Sequence, residues 1–265
     1  MTSLEAEKPV AFAGFRDRHF VPTYKIPKRK TTTLIEGELT METCEFCLAI
    51  SKGKTTRFSD VYPNLTSRIV AETDHFVAMP AIGQLFKGSL LILPRTHVET
   101  TAKLDPQRRE ELILFLDSLT RILQNIGNPV CFEHGALSCT GGGCGIYHAH
   151  LHLVPLPRQI KPEQFFPEFT GRSLSLGVAL DRFNHCDEYL LFGDGTAFVH
   201  AAVEELPVRP QSQFFRKRLA DYFGLVKSWD WRHYVEKEPY MLETIEYFQQ
   251  TQGGIGLDCQ RIVTL

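Results

Sequence analysis

The chain has 265 residues, 43% of them hydrophobic and 23% charged, proportions that exclude a fibrous or wholly disordered protein. Its 29 basic and 31 acidic side chains leave a net charge of -2, too balanced for a surface that coats nucleic acid, so an anionic ligand must be met locally. No stretch approaches the roughly 18 uninterrupted apolar residues of a membrane span, and the N-terminus lacks the apolar run of a secretory signal. The reading is therefore a cytoplasmic protein with no membrane contact.

Residues 1–42 carry scattered Pro, Arg and Lys, including Lys28, Arg29 and Lys30, without a sustained apolar period, and read as an N-terminal arm. Cys44-Glu45-Phe46-Cys47 follows. Its two-residue gap suits a chelating pair, a redox pair or two buried thiols. The seven cysteines, an odd number, lack the dense even spacing of a disulfide scaffold. From His75, HFVAMP predicts a strand, IGQLFKG a loop and SLLILP a second strand. No carboxylate stands between Asp74 and Glu99.

LDPQRREELILFLDSLTRILQNIG predicts a helix capped by Asp105, with Pro106 in its first turn and Leu112, Leu114, Leu116, Leu119 and Leu123 as its apolar face. VCFEHG predicts a short strand; Glu133 and His134 within it are either a substrate contact and general base or a satisfied pair at a strand end. After a loop through CTGGGCG, the run YHAHLHLVP predicts a third strand.

On a strand, residues two apart share a face, so His148, His150 and His152 project together while Ala149, Leu151 and Leu153 point the other way. Imidazole titrates near neutrality, and a neutral ring serves as nucleophile while a neighbour donates to a phosphate oxygen. The alternatives are a three-imidazole metal site or a chance cluster. Gly141, Gly142, Gly143, Cys144 and Gly145, just upstream, allow backbone N–H groups close approach to a phosphate. Together these features make a phosphorus-chemistry site.

The run His148-Ala149-His150-Leu151-His152-Leu153-Val154 matches the His-φ-His-φ-His-φ-φ pattern, φ being apolar, and so resembles the histidine-triad (HIT) superfamily. The resemblance covers residues 44 to 157, including CEFC, the strand before His97, the helix and the glycine loop. It implies an α+β fold, a HIT-like antiparallel sheet with flanking helices, here carrying a C-terminal α+β extension. The expected division is the arm over 1–42, a HIT-like catalytic domain over 43–157, and an extension over 158–265 that packs on it.

By the same resemblance His150 is the nucleophile that takes a nucleotidyl group, His152 contacts a phosphoryl or leaving-group oxygen, and His148 completes the catalytic row. Gly143, Cys144 and Gly145 would lend backbone donors, while Glu133 and His134 depart from the Asn that hydrolase members often carry near there and would serve as substrate contact or general base. Zinc-containing members, and the related galactose-1-phosphate uridylyltransferases, further imply a structural zinc on Cys44, Cys47, His97 and His148. The partner expected is a small phosphorylated substrate, a nucleotide or nucleotide conjugate, hydrolysed or transferred. Competing readings are a hexose-1-phosphate-type nucleotidylyltransferase and a noncatalytic zinc-stabilised nucleotide-binding protein. Pro80-Ala81-Ile82-Gly83 departs from relatives that carry an acidic residue for ribose hydroxyls there.

In the extension EYLLFG predicts a strand, and SQFFRKRLADYFGL and PYMLETIEYFQQ predict helices. Arg216, Lys217 and Arg218 read as the solvated basic edge of a packed helix, against a homodimer face or a phosphate-binding lid. Trp229, Trp231 and Tyr240 read as core aromatics in preference to base-stacking rings.

Overall fold

The computed structural model describes residues 44–52, 67–137, 147–231 and 238–254. The N-terminal arm and the glycine loop, including Gly143, Cys144 and Gly145, lie outside the described residues.

The strands are β1 (Ala71–Glu72), β2 (Phe76–Pro80), β3 (Leu90–Pro94), β4 (Asn128–Ala136), β5 (Leu151–Leu156), β6 (Gly171–Ser173), β7 (Glu188–Gly193) and β8 (Phe198–Ala202). The helices are α1 (Glu45–Lys52), α2 (Pro106–Leu123), α3 (Pro162–Phe165), α4 (Leu176–Asp181), α5 (Phe214–Tyr222) and α6 (Glu238–Gly254). One eight-stranded sheet runs in the order β1-β2-β3-β5-β4-β7-β8-β6, every neighbouring pair antiparallel. The fold is thus α+β, as the resemblance implied.

Both faces of this sheet are covered, and the two-residue alternation of each strand sorts its side chains between them. On one face Phe76, Ala78, Leu90, Ile92, Leu151, Leu153, Tyr189 and Leu191 pack with Leu112 and Leu119 of α2, Leu180 of α4 and Phe248 of α6. On the other face the covering is split. Val77, Met79, Leu91 and Leu93 lie under Phe46 and Ala49 of α1. Val130, Phe132, Val154, Leu190, Phe192 and Val199 lie under Phe215 and Leu219 of α5. Between these two clusters the sheet is open, above β3, β5 and β4.

The extension joins the sheet edge to edge. β7 runs along β4 from Cys131↔Gly193 to Ala136↔Glu188, and β8 and β6 continue outward. EYLLFG is a strand over the predicted residues, whereas β6 and β8 carried no clear periodic signal. The run YHAHLHLVP pairs later than predicted: its ladder begins at Leu151, and His148 and His150 precede it, Ala149 N–H donating to Val98 O at 2.6 Å.

Helix α2 forms as its signals require: Asp105 accepts from Arg108 N–H at 2.9 Å, satisfying a donor of the first turn. Its buried face is Leu112, Phe115, Leu116, Leu119 and Leu123. Leu114, expected in that face, is 42% exposed, because two residues on from Leu112 is about 200° around a 3.6-residue turn. Phe115 takes the place assigned to it. Leu119→Ala is accordingly expected to cost about 2 to 5 kcal/mol through lost burial and an unfilled cavity, and Leu114→Ala less than about 0.5 kcal/mol. Urea denaturation of the two variants checks this; equal losses would contradict the assigned face.

Candidate functional site

The open strip of sheet is a cleft lined by Glu45 and Phe46 of α1, Leu91 of β3, Phe132 and His134 of β4, His150 and His152, and by Arg68, Ala81 and Ile82. Its remaining wall comes from the extension: Gln213, Phe214, Phe215, Arg216 and Trp231.

Pairing explains why the histidines meet here. His152 stands opposite Leu91 on β3 and Phe132 on β4, so it shares their face, and Phe132 stacks against its ring at 4.6 Å. His150 lies beside it, ring centroids 5.3 Å apart, with the edge of Phe46 at 5.4 Å. His150 Nδ1 donates to the carbonyl of His148 at 2.7 Å. That bond selects the tautomer in which the proton is on Nδ1 and the lone pair is on Nε2. Burial, then the neighbouring His150 and Arg216, hold His152 well below the usual histidine range, so it is a neutral ring with one N–H to donate.

His148 is set apart. It is fully buried and does not line the cleft; Nε2 donates to Pro94 O at 2.9 Å. Its Nδ1 faces Cys44 Sγ at 3.4 Å and Cys47 Sγ at 3.5 Å, and Cys47 Sγ lies 3.4 Å from His97 Nδ1. The four potential ligand atoms lie within 4.8 Å of one another. A tetrahedral centre with metal–sulfur bonds of about 2.3 Å and metal–nitrogen bonds of about 2.0 Å has sulfur–nitrogen edges of about 3.5 Å. The donor set and its spacing therefore fit a four-coordinate metal with no open position. The Pro94 carbonyl on the far nitrogen of His148 is the kind of outer contact that orients a ligating imidazole.

The two neighbours in FEHG part company, since adjacent strand residues face opposite sides. Glu133 is 1% exposed and points away from the cleft, accepting from Tyr189 O–H at 2.6 Å and Thr101 N–H at 3.0 Å. Burial raises its pKa despite those bonds. His134 lines the cleft. Its Nε2 donates to Glu188 Oε1 at 2.7 Å, and its Nδ1 is buried with no hydrogen-bond partner among the described residues. A carboxylate only accepts, so Nε2 carries the proton of that bond, and in the neutral ring Nδ1 is the acceptor. Although burial opposes it, bonding to His134 and the charge of Arg209 keep Glu188 below the usual carboxylate range.

Arg216 departs from the solvated edge expected of it. Its side of α5 faces the sheet, leaving it 8% exposed, with Nε donating to Trp229 O at 2.9 Å and Nη2 to Gly83 O at 2.7 Å. Arg68, 5% exposed, donates from Nη1 to Pro80 O at 2.9 Å. Sequence reasoning passed over Arg68, which sits in no motif. Gly83, at φ +62°, lets the Trp231 backbone approach where a Cβ would meet its Cα at 3.0 Å; Trp231 thereby lines the cleft.

Residues 35–166 match the family model described as protein similar to CwfJ C-terminal. An uncharacterised HIT-like protein of Borreliella burgdorferi is 26% identical over 117 residues, covering 43% of this chain and 76% of that one. Galactose-1-phosphate uridylyltransferase of Haemophilus influenzae is 28% identical over 94 residues, 34% of this chain and 27% of the enzyme. The solved structure of a HIT family member from Bacillus subtilis covers 42% of this chain and 72% of its own, at 21% identity and a TM-score of 0.34. With an intact histidine-triad motif, an antiparallel α+β sheet beneath it and HIT-like sequence homologues, the chain is a relative of the histidine-triad proteins.

Proposed function

We propose that the chain is a hydrolase or transferase of nucleotides or nucleotide conjugates that forms a covalent nucleotidyl-histidine on Nε2 of His150. The observation that carries this reading is the bond from His150 Nδ1 to the His148 carbonyl. It puts the proton on Nδ1 and the lone pair on Nε2, in a cleft shared with His152 and His134.

In the first step the His150 Nε2–phosphorus bond forms as the phosphorus–oxygen bond of the leaving group breaks, the electron pair departing on that oxygen. A phosphate leaving group needs no proton, and the N–H of His152 hydrogen-bonds to it. The ring of His150 then carries positive charge, stabilised through Nδ1–H on the His148 carbonyl. In the second step an acceptor oxygen bonds to phosphorus and the pair returns to Nε2. Where the acceptor is water, the bare Nδ1 of His134, held by Glu188, takes its proton.

The cluster of Cys44, Cys47, His97 and His148 is assigned to zinc. With four protein ligands it would brace the segment carrying His150 and supply no open coordination position.

Incubation with labelled diadenosine polyphosphates, nucleoside phosphoramidates and sugar nucleotides, followed by quenching, is expected to leave acid-labile label on the wild type and none on His150→Ala. Wild type that never labels across this panel would refute the nucleotidyl-histidine reading, and label surviving in His150→Ala would refute the nucleophile. His134→Gln is expected to form the intermediate normally and to discharge it to water about 10²- to 10⁴-fold more slowly, read by rapid quench; an unchanged discharge rate would remove His134 from the second step. Elemental analysis is expected to find about one zinc per chain, lost in Cys44→Ser with a lower Tm. Zinc-free wild type, or Cys44→Ser with its zinc retained, would refute the metal assignment.

A further inference from the structure

The turn leaving β2, Pro80-Ala81-Ile82-Gly83, has no carboxylate, and it is clasped by two guanidinium groups. Arg68 holds the carbonyl at its start and Arg216 the carbonyl at its end, and both side chains line the same cleft as His150 and His152. These arginines come from opposite ends of the described chain, one before β1 and one on α5 in the extension. The hydrogen bonds of Arg216 are to main-chain oxygens only, and it makes no ion pair among the described residues. A guanidinium has five N–H donors; Nε and one on Nη2 are used, which leaves three, including both on Nη1.

Arg216 is a buried cation with no ion pair among the described residues, and the cost of its desolvation is offset when an anion enters beside it. Two carboxylates lie in the neighbourhood, Glu45 by Arg68 and Asp230 by Arg216. Asp230 accepts from Gln213 Nε2 at 2.9 Å, and Glu45, exposed on α1, lines the cleft on the side of Arg68. Burial lowers both arginines to about 10, so each still carries its charge at neutral pH.

We infer that Arg216 and Arg68 form an anion subsite beside the histidines, selecting substrates that carry a second phosphate group in addition to the phosphorus attacked by His150. The inference rests on the nucleotidyl-histidine reading for the identity of the attacked group. It names the substrate class as phosphate-chain conjugates in preference to nucleoside phosphoramidates with an uncharged leaving group. It also gives the extension a part in selectivity, because Arg216 belongs to it.

The test compares kcat/KM of the zinc-loaded full chain for diadenosine triphosphate and for an adenosine phosphoramidate of an uncharged amine. Arg216→Gln is expected to lower the first by about 10- to 100-fold, the size of a lost charge-assisted hydrogen bond, and the second by less than about 3-fold. Arg216→Lys, which keeps the charge and cannot hold both carbonyls, is expected to recover part of the preference. If Arg216 merely staples α5 to the turn, both substrates suffer equally and Lys restores nothing; that result overturns the proposal. Calorimetric binding of inorganic tripolyphosphate decides the subsite without any chemistry, with weakening expected in Arg216→Gln and Arg68→Gln. Unchanged binding in both variants would overturn the subsite even with the enzyme active. Arginine-dependent binding by a wild type that never labels would uphold the subsite and sink the nucleotidyl-histidine reading alone.

Discussion

The ladder between β4 and β7 is the interaction on which the rest of this structure depends. β4 would otherwise end the sheet with a row of unpaired N–H and C=O groups. By pairing from Cys131 to Ala136 with Gly193 to Glu188, the extension satisfies that edge and carries its own apolar residues onto both faces. Tyr189 and Leu191 enter the core beneath α2; Leu190 and Phe192 make the floor under α5. The same register delivers Glu188 to His134 and Tyr189 to Glu133. The extension is consequently part of the sheet and of the cleft at once.

A sheet buried on both faces leaves little room for polar groups, and Glu133 and His148 are held there by specific partners. Glu133 is tolerated in the core because a tyrosine hydroxyl and a main-chain N–H serve its two oxygens. His148 is tolerated at zero exposure because one nitrogen meets Pro94 and the other the two sulfurs. Burial drives its pKa down to about 4, which keeps the imidazole neutral. The three histidines of one motif therefore divide: one is built into the scaffold, and two present their rings to the cleft beside Phe132 and Phe46.

Much of the fold was legible because its signals are local. Asp105 and Pro106 mark the start of α2, and EYLLFG marks β7, through preferences that act within a few residues. Three features depart from those local signals. Leu114 entered the apolar face because leucine was counted where helical phase should have been, and Phe115 was the residue in phase. The ladder of β5 begins after His150 because alternation describes where side chains point and says nothing of where a partner strand begins. β6 is a three-residue edge strand that needs little periodicity of its own, and β8, paired on both sides and buried throughout, lacks the alternation of a half-buried strand.

The candidate site divides along the same line. The sequence by itself determined the row of histidines, the pair of cysteines two residues apart and the alternation that backs them with Ala149, Leu151 and Leu153, since each is a relation among neighbours on one strand or one turn. Only the tertiary structure decided that His97 meets Cys47, that His134 faces the cleft while Glu133 turns from it, and that Arg68 and Arg216 close on the two ends of one turn. The physical reason is the range of the interactions. A periodic pattern reports which face a side chain occupies, whereas the convergence of residues far apart in the chain depends on strand order and register, here on β7 pairing with β4.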